Sequence, residues 1–198
     1  MGNNKSTVSG RYIVLVGLSS FFLAIAFTYL SEFFTSRLNS IILSLVFLFI
    51  IILINIAADI VGTAVTAASH VPFNAKSAKR IRGAPHGLQL IKNADKVANL
   101  TNDMLSDITT TVGGALGISI VVQIVKFGPA ISQFWLNILV TALIAAMIVS
   151  GKAFSKKIAL THPDDVIFLV GRILAKVEET TGYSPFRKTR APRNKRGE

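Results

Sequence analysis

Three groups of polar residues lie within apolar stretches of the chain and have the chemistry of a cation site. Asn55, Asp59, Thr63 and Thr66 are spaced by three or four residues, so a helix would stack them on one face. A second stripe, Asn99, Asp103 and Asp107, repeats every four residues and is flanked by Asn102, Ser106 and Thr110. The third place is Lys152, at the end of another apolar run.

Carboxylate, amide and hydroxyl oxygens are the ligands that Mg²⁺ prefers, and the chain has no cysteine that would favour a softer metal. Helical rise places the three carboxylates and the Lys152 ammonium near one depth, so we expect a single cluster. The predicted metal ligands are Asp59, Thr63, Asn102, Asp103, Ser106 and Asp107.

A plainer interpretation competes with this one. Asn102 and Asp103 would satisfy the free amides of a helix N-terminus, and the threonines and serines would bond back to their own helix. Asp59 and Asp107 lie deeper, where capping explains them less well, and an ion pair with Lys152 remains open for them. The sequence does not decide between these alternatives.

Composition defines the elements that must position these groups. Of 198 residues 51% are hydrophobic, yet the formal charge is +11, so apolar and basic residues must be segregated along the chain. Uncharged runs long enough to cross the hydrocarbon core predict an all-α, multi-pass membrane protein with four spans, at about 12–30, 41–69, 103–125 and 134–150. A cleaved signal peptide is the competing interpretation of the first run.

The remaining segments are polar or amphipathic. Residues 71–100 are basic and broken by Gly83, Pro85 and Gly87, which predicts a cytoplasmic belt of two short surface helices. An amphipathic helix is expected over 163–181, with Asp164 and Asp165 in its first turn. Residues 1–182 would then form one transmembrane domain, followed by a basic, disordered tail at 183–198.

Charge distribution predicts the orientation. Four spans place all Lys and Arg residues except Arg37 and Lys126 on one side, which the positive-inside bias identifies as the cytoplasm. We therefore expect a cell-membrane protein with both termini cytoplasmic. The basic residues expected to meet anionic lipid headgroups are Lys76, Lys79, Arg80, Arg82, Arg187, Lys188 and Arg190. No nucleic-acid partner is expected, and no motif of an enzyme is visible.

Four weak motifs over residues 41–178 together resemble the transmembrane domain of the CorC/CorB/CNNM family of magnesium and cobalt transporters. The segments that carry the resemblance are Gly-Thr-Ala-Val-Thr-Ala at residues 62–67, Asn-Asp-Met-Leu-Ser-Asp-Ile at 102–108, Gly-Lys-Ala-Phe-Ser-Lys at 151–156 and Pro-Asp-Asp-Val at 163–166. The chain is most similar to short CorB-like members without the nucleotide-binding CBS pair. The resemblance implies Mg²⁺ or Co²⁺ transport by a homodimer, with Mg²⁺ as the bound ion.

The chain departs from the family pattern at three positions. Gly62 replaces a glutamate of the first motif, Met104 an asparagine of the second, and Lys152 the metal-facing glutamate of the third. One hypothesis is therefore a transporter with a site rebuilt around Asp59, Asp103 and Asp107, in which the cation displaces the Lys152 ammonium. The alternative is a non-transporting membrane scaffold or accessory subunit, in which Lys152 permanently occupies the cation position.

Overall fold

A computed structural model describes residues 10–37, 41–128 and 132–182. The described residues form helices and no strand, which confirms the all-α prediction. The helices are α1 (Gly10–Arg37), α2 (Ile41–Ala67), α3 (His70–Ala78), α4 (Ala84–Lys92), α5 (Ala94–Ala98), α6 (Ser106–Phe127), α7 (Gln133–Thr161) and α8 (Pro163–Thr181), with a π-helical segment, Asn99–Leu105, between α5 and α6. The tail predicted to be basic and disordered, with Arg187, Lys188 and Arg190, lies outside the described residues.

Three helices in the described part of the chain are long and apolar enough to cross a membrane: α2, the helix Ala94–Lys126, and α7. Their 27, 33 and 29 residues each exceed the roughly 20 that a bilayer requires. Within α1 the apolar helical stretch is shorter, Ile13–Tyr29. The multi-helix membrane character is thus supported, whereas a fourth crossing by α1 stays a prediction.

The helix that carries the second polar stripe is continuous from Ala94 to Lys126. It therefore starts nine residues before the predicted span, because α5 passes into α6 through the π-helical segment without a break. The hydroxyl of Thr101 donates to the carbonyl of Val97 at 2.9 Å within that segment. Wider π turns inside α-helices often mark functional positions.

The helices α6 and α7 pack against α2, and the shared interior of these three helices is aliphatic. This apolar layer consists of Leu48, Ile51 and Ile52 of α2, Val112, Leu116 and Ile120 of α6, and Ile144 and Ile148 of α7. Gly113 lies near Ile148 and Gly117 near Ile144 and Val140, so α6 and α7 run antiparallel with small residues at their contact. On the outer side of α6, α1 brings the Ser19 hydroxyl to 3.7 Å from the Met104 sulfur.

A second core joins the end of α2 to the belt helices. It contains Val65 of α2, Phe73 of α3, Leu90 and Ile91 of α4, Ala159 of α7 and Ile167 of α8. Gly171 of α8 lies directly against the backbone of Gly83 and Gly87, so the absence of a side chain at Gly171 lets α8 approach the start of α4 closely. We call this end of the bundle the belt end, and the opposite end, near Ile41 and Gln133, the far end.

The helix α8 presents two apolar rows. Ile167, Gly171 and Ala175 are buried against the belt, whereas Leu169, Ile173 and Val177 are exposed. One row therefore holds α8 on the protein, and the other remains available to a membrane surface.

Candidate functional site

The polar face of α2 lies against the π-helical segment and the start of α6, and Asn55 connects them. Its side-chain amide, 1% exposed, donates to the carbonyl of Ser106 at 2.7 Å and to the hydroxyls of Thr109 and Thr110, each at 2.9 Å. The buried Ser106 hydroxyl donates to the side-chain oxygen of Asn55, Oδ1, at 3.5 Å. We call the contact formed by Asn55, Asp59, Gly62, Asn102, Ser106 and Thr109 the polar seam.

Two oxygens in the polar seam are buried without a hydrogen-bond partner among the described residues. They are Oδ2 of Asp59, a residue that is only 5% exposed, and Oδ1 of Asn102. Buried acceptors are normally paired, and a carboxylate in a spanning helix is costly to leave unpaired. Each therefore needs a water molecule, a cation or a proton close to it.

Gly62 lets the Asn102 side chain lie close to α2. A Cβ atom at this position would collide with Oδ1 of Asn102 and with the hydroxyl of Thr101. Asp59 is three residues from Gly62, about 4.5 Å along the α2 axis. The absent side chain thus leaves α2 and the π-helical segment in direct contact beside the Asp59 carboxylate.

On its other side, α2 contacts α7 through small residues. The Ser155 hydroxyl donates to the Ile56 carbonyl at 3.2 Å and to the Gly151 carbonyl at 2.9 Å. Lys152 and Lys156 flank this contact, and their charges act on the Asp59 carboxylate. Among the described residues neither lysine forms an ion pair with Asp59 within 4 Å, so the direct Lys152 pair considered above is not present.

The expected cluster of three carboxylates does not form. Within the described ranges no three acidic or histidine side chains come together as a metal-binding group. Asp103 and Asp107 are exposed, and Asp103 accepts a 3.0 Å hydrogen bond from the Asn99 amide along its own stripe. The reason is helical register, because Asn102 and Ser106 occupy the positions that face α2 and the aspartates follow one residue later.

The remaining predicted ligands divide in the same way. Ser106 and Asn102 lie in the polar seam with Asp59, while Thr63 is half-buried beside Gly62, and its carbonyl accepts from Thr66. The sequence pattern placed Asn55 on the polar face of α2 but not among the predicted ligands. It gave no indication that Thr109 would be its hydrogen-bond partner. A polar residue one turn from Asp59 on the same α2 face was the available signal.

The predicted lipid-facing cations of the belt are partly engaged within the protein. The Lys76 ammonium lies 4.4 Å from the centre of the Phe168 ring of α8, and Arg82 forms an ion pair with Glu179. Lys79 and Arg80 are exposed. Of the four belt residues predicted to face lipid, these last two are the ones whose charged groups remain available to an anionic surface.

No protein-family model, curated protein or solved structure matches the chain. The fold and the seam therefore define a class only: an all-helical protein with three helices long and apolar enough to cross a membrane, and a buried polar contact within them. The similarity to the CorC/CorB/CNNM transmembrane domain stays a prediction from its motifs.

Proposed function

We propose that the chain transports a divalent metal cation, Mg²⁺ foremost and Co²⁺ with it, across the cell membrane in the manner of CorB-like proteins. The polar seam is the proposed binding site. Asp59 supplies the carboxylate and Asn102 the amide oxygen, while Ser106 adds a hydroxyl from the first turn of α6.

The observation that carries the proposal is a pair of buried, unpartnered acceptors: Oδ1 of Asn102, which lies against Gly62, and Oδ2 of Asp59, one helical turn from Gly62 on α2. Both are hard oxygen ligands of the kind that Mg²⁺ selects. Mg²⁺ retains part of its water shell in proteins, so a site with few protein ligands suits it.

Lys152 and Lys156 give the site a second property. Their positive charges attract the Asp59 carboxylate and oppose a dication when it enters. Binding would therefore be weak, and the ion would leave readily, as transport requires.

Transport assays in proteoliposomes that enclose a Mg²⁺-sensitive dye test the proposal with a matched pair of variants. Asp59→Asn removes the buried carboxylate and should lower Mg²⁺ flux at least tenfold. Asp107→Asn removes an exposed carboxylate of the neighbouring helix and should leave flux within twofold of wild type. The same shape and charge change is made in both variants, so their difference isolates the polar seam.

Two results would reject the transport proposal. One is wild-type protein that gives no more flux than empty vesicles with either Mg²⁺ or Co²⁺. The other is an Asp59→Asn variant that transports as well as wild type.

One observation supports the scaffold alternative: Lys152 and Lys156 are close enough to Asp59 for their charges to act on it. It requires the Lys152 ammonium to hold the helices together, so Lys152→Ala should lower the thermal unfolding midpoint by several degrees. Under the transport proposal the same change removes repulsion and should tighten Mg²⁺ binding, measured by calorimetry, with an unfolding midpoint close to that of wild type. Lys157→Ala, also on α7 but exposed, is the matched control.

The proposal includes an orientation and partners. The belt end, with α3, α4 and α8, is placed in the cytoplasm, and Lys79 and Arg80 face anionic headgroups there. The bilayer surrounds the exposed aliphatic surface of α2 and α7. A second copy of the chain completes the assembly as a homodimer.

A further inference from the structure

The far end of the bundle carries its own polar contact within the membrane-crossing helices. The Gln123 amide of α6 donates to the Ser44 hydroxyl of α2 at 3.2 Å, and Ser44 is only 4% exposed. The side-chain carbonyl oxygen of Gln123, Oε1, is buried and has no hydrogen-bond partner among the described residues. The same holds for Oδ1 of Asn137 on α7.

Helix register brings Asn137 to the level of Gln123. Along α6, Gly113 lies near Ile148 and Gly117 near Ile144, so four residues forward on α6 correspond to four residues backward on α7. Continuing this antiparallel register places Asn137 beside residues 123 and 124. Ser44, Gln123 and Asn137 therefore contribute one polar residue from each of the three spanning helices at one depth.

The same pattern repeats along each of these helices. Each has a polar group facing the interior at its belt end, an aliphatic stretch in the middle, and a polar group at its far end. The aliphatic stretch is the apolar layer, which separates Ser44 from Asn55 by eleven residues of α2, about 16 Å.

The unpartnered atoms share one chemistry. Six buried side-chain polar atoms of the described residues lack a hydrogen-bond partner, and four of them lie within the bundle. All four are oxygens that accept: two in the polar seam and two at the far end. Buried acceptor oxygens without a hydrogen bond, on both sides of an apolar layer, are what a pathway for a hard cation requires.

We propose that Ser44, Gln123 and Asn137 form a second cation-binding station at the far end, from which the ion reaches the polar seam across the apolar layer. The inference rests on the proposed transport function and deepens it. The far-end station is neutral, so it holds a more fully hydrated ion than the polar seam, where Asp59 supplies a charge. The apolar layer then acts as the barrier between the two stations.

Trp135 provides a reporter for this station. It is the single tryptophan of the chain and lies two residues from Asn137 on α7. The experiment titrates MgCl₂ into the full chain in lipid nanodiscs, against choline chloride at matched ionic strength, and records Trp135 fluorescence together with calorimetric heat. All variants are made in an Asp59→Asn background, which disables the polar seam and leaves the far end as the source of the signal.

We expect the Asp59→Asn protein to retain a saturable Mg²⁺ response. Gln123→Leu or Asn137→Leu should abolish it, and Gln123→Glu, which adds a carboxylate, should lower the Kd at least fivefold. Thr141→Val is the matched control, because Thr141 is one turn from Asn137 but exposed, and should leave the Kd unchanged. If a leucine variant does not fold, the Kd of Gln123→Glu decides the question.

The proposal is overturned if the Asp59→Asn protein shows neither heat nor fluorescence change with Mg²⁺, or if its Kd does not respond to Gln123→Glu. These outcomes are separate from failure of the transport proposal. That failure would appear in the flux assay, as wild-type protein no more active than empty vesicles or as wild-type flux in the Asp59→Asn variant, whatever Trp135 reports.

Discussion

Asn55 is the residue whose contacts most directly hold α2 against α6. Its amide serves acceptors on Ser106, Thr109 and Thr110, and the site is nearly inaccessible. Removing the side-chain amide takes these hydrogen bonds out of a region that water reaches poorly, while the Ser106 carbonyl keeps the hydroxyls of Thr109 and Thr110 as donors. The hydrogen bonds lost with the Asn55 amide are together worth about 1–3 kcal/mol.

We therefore expect Asn55→Ala to lower the free energy of unfolding by about 1–3 kcal/mol, measured by titrating the folded protein with a denaturing detergent. The control is Asn74→Ala on α3, where the asparagine is exposed and its loss should change stability by less than about 0.5 kcal/mol. Equal losses in both variants would contradict the assigned role of Asn55.

At the residue scale the sequence predicted the polar seam in part. The i, i+4 pattern identified Asn55 and Asp59 on one face of α2, and it identified Asn102 and Ser106 as neighbours of the second stripe. It did not show which of two adjacent stripes faces α2, because a shift of one position turns a helical side chain by about 100°. Carboxylates drew attention to Asp103 and Asp107, whereas the structure turns the uncharged Asn102 and Ser106 inward.

At the scale of elements, the junction of α4 and α8 depends on glycine. A Cβ on Gly171 would lie 2.9 Å from the Gly87 nitrogen and would collide with the Gly83 carbonyl. These are backbone atoms, which cannot rotate away as a side chain can, so the two helices would have to separate. The His86–Glu178 pair joins the same helices, and the Arg82–Glu179 pair joins α8 to the turn before α4. That movement would lengthen both pairs.

We expect Gly171→Ala to destabilise the protein by about 1–3 kcal/mol through overpacking, and to increase hydrogen exchange of the α8 amides. Gly114→Ala is the matched control because nothing lies within 4 Å of a Cβ built there, and the gain in helix propensity, up to about 1 kcal/mol, is common to both. The stability difference between the two variants thus isolates the helix contact. Identical thermal unfolding curves would show that α8 does not depend on this approach.

Some helix boundaries follow from residues at the boundary itself, and others follow from contacts with distant parts of the chain. The start of α8 at Pro163 and the break between α3 and α4 follow from proline and glycine, which act over a few positions. The continuity of α5 with α6 could not be predicted, because residues 94–102 are polar enough to suggest a surface segment. Contacts with the end of α2 keep them helical, and such contacts are not visible in the local sequence.

At the scale of the whole molecule, the number of membrane crossings depends on α1, which makes it three or four. If α1 crosses, the N-terminus shares a side with the belt, and only Arg37 and Lys126 lie on the other side. If α1 instead lies along the membrane surface, Lys5 and Arg11 lie on the same side as Arg37 and Lys126. The excess of Lys and Arg on the belt side is then smaller but still favours a cytoplasmic belt. The two arrangements therefore differ in the location of the first ten residues.

The absence of cysteine makes this difference measurable with single-cysteine variants and a membrane-impermeant maleimide. We expect Ser132→Cys, at the far end, to react in intact cells, whereas Lys79→Cys and Ser6→Cys should react only after the membrane is opened. A Ser6→Cys variant that reacts in intact cells together with Ser132→Cys would show that α1 does not cross. Reaction of Lys79→Cys in intact cells would instead reverse the whole orientation, and the far-end station would then face the cytoplasm.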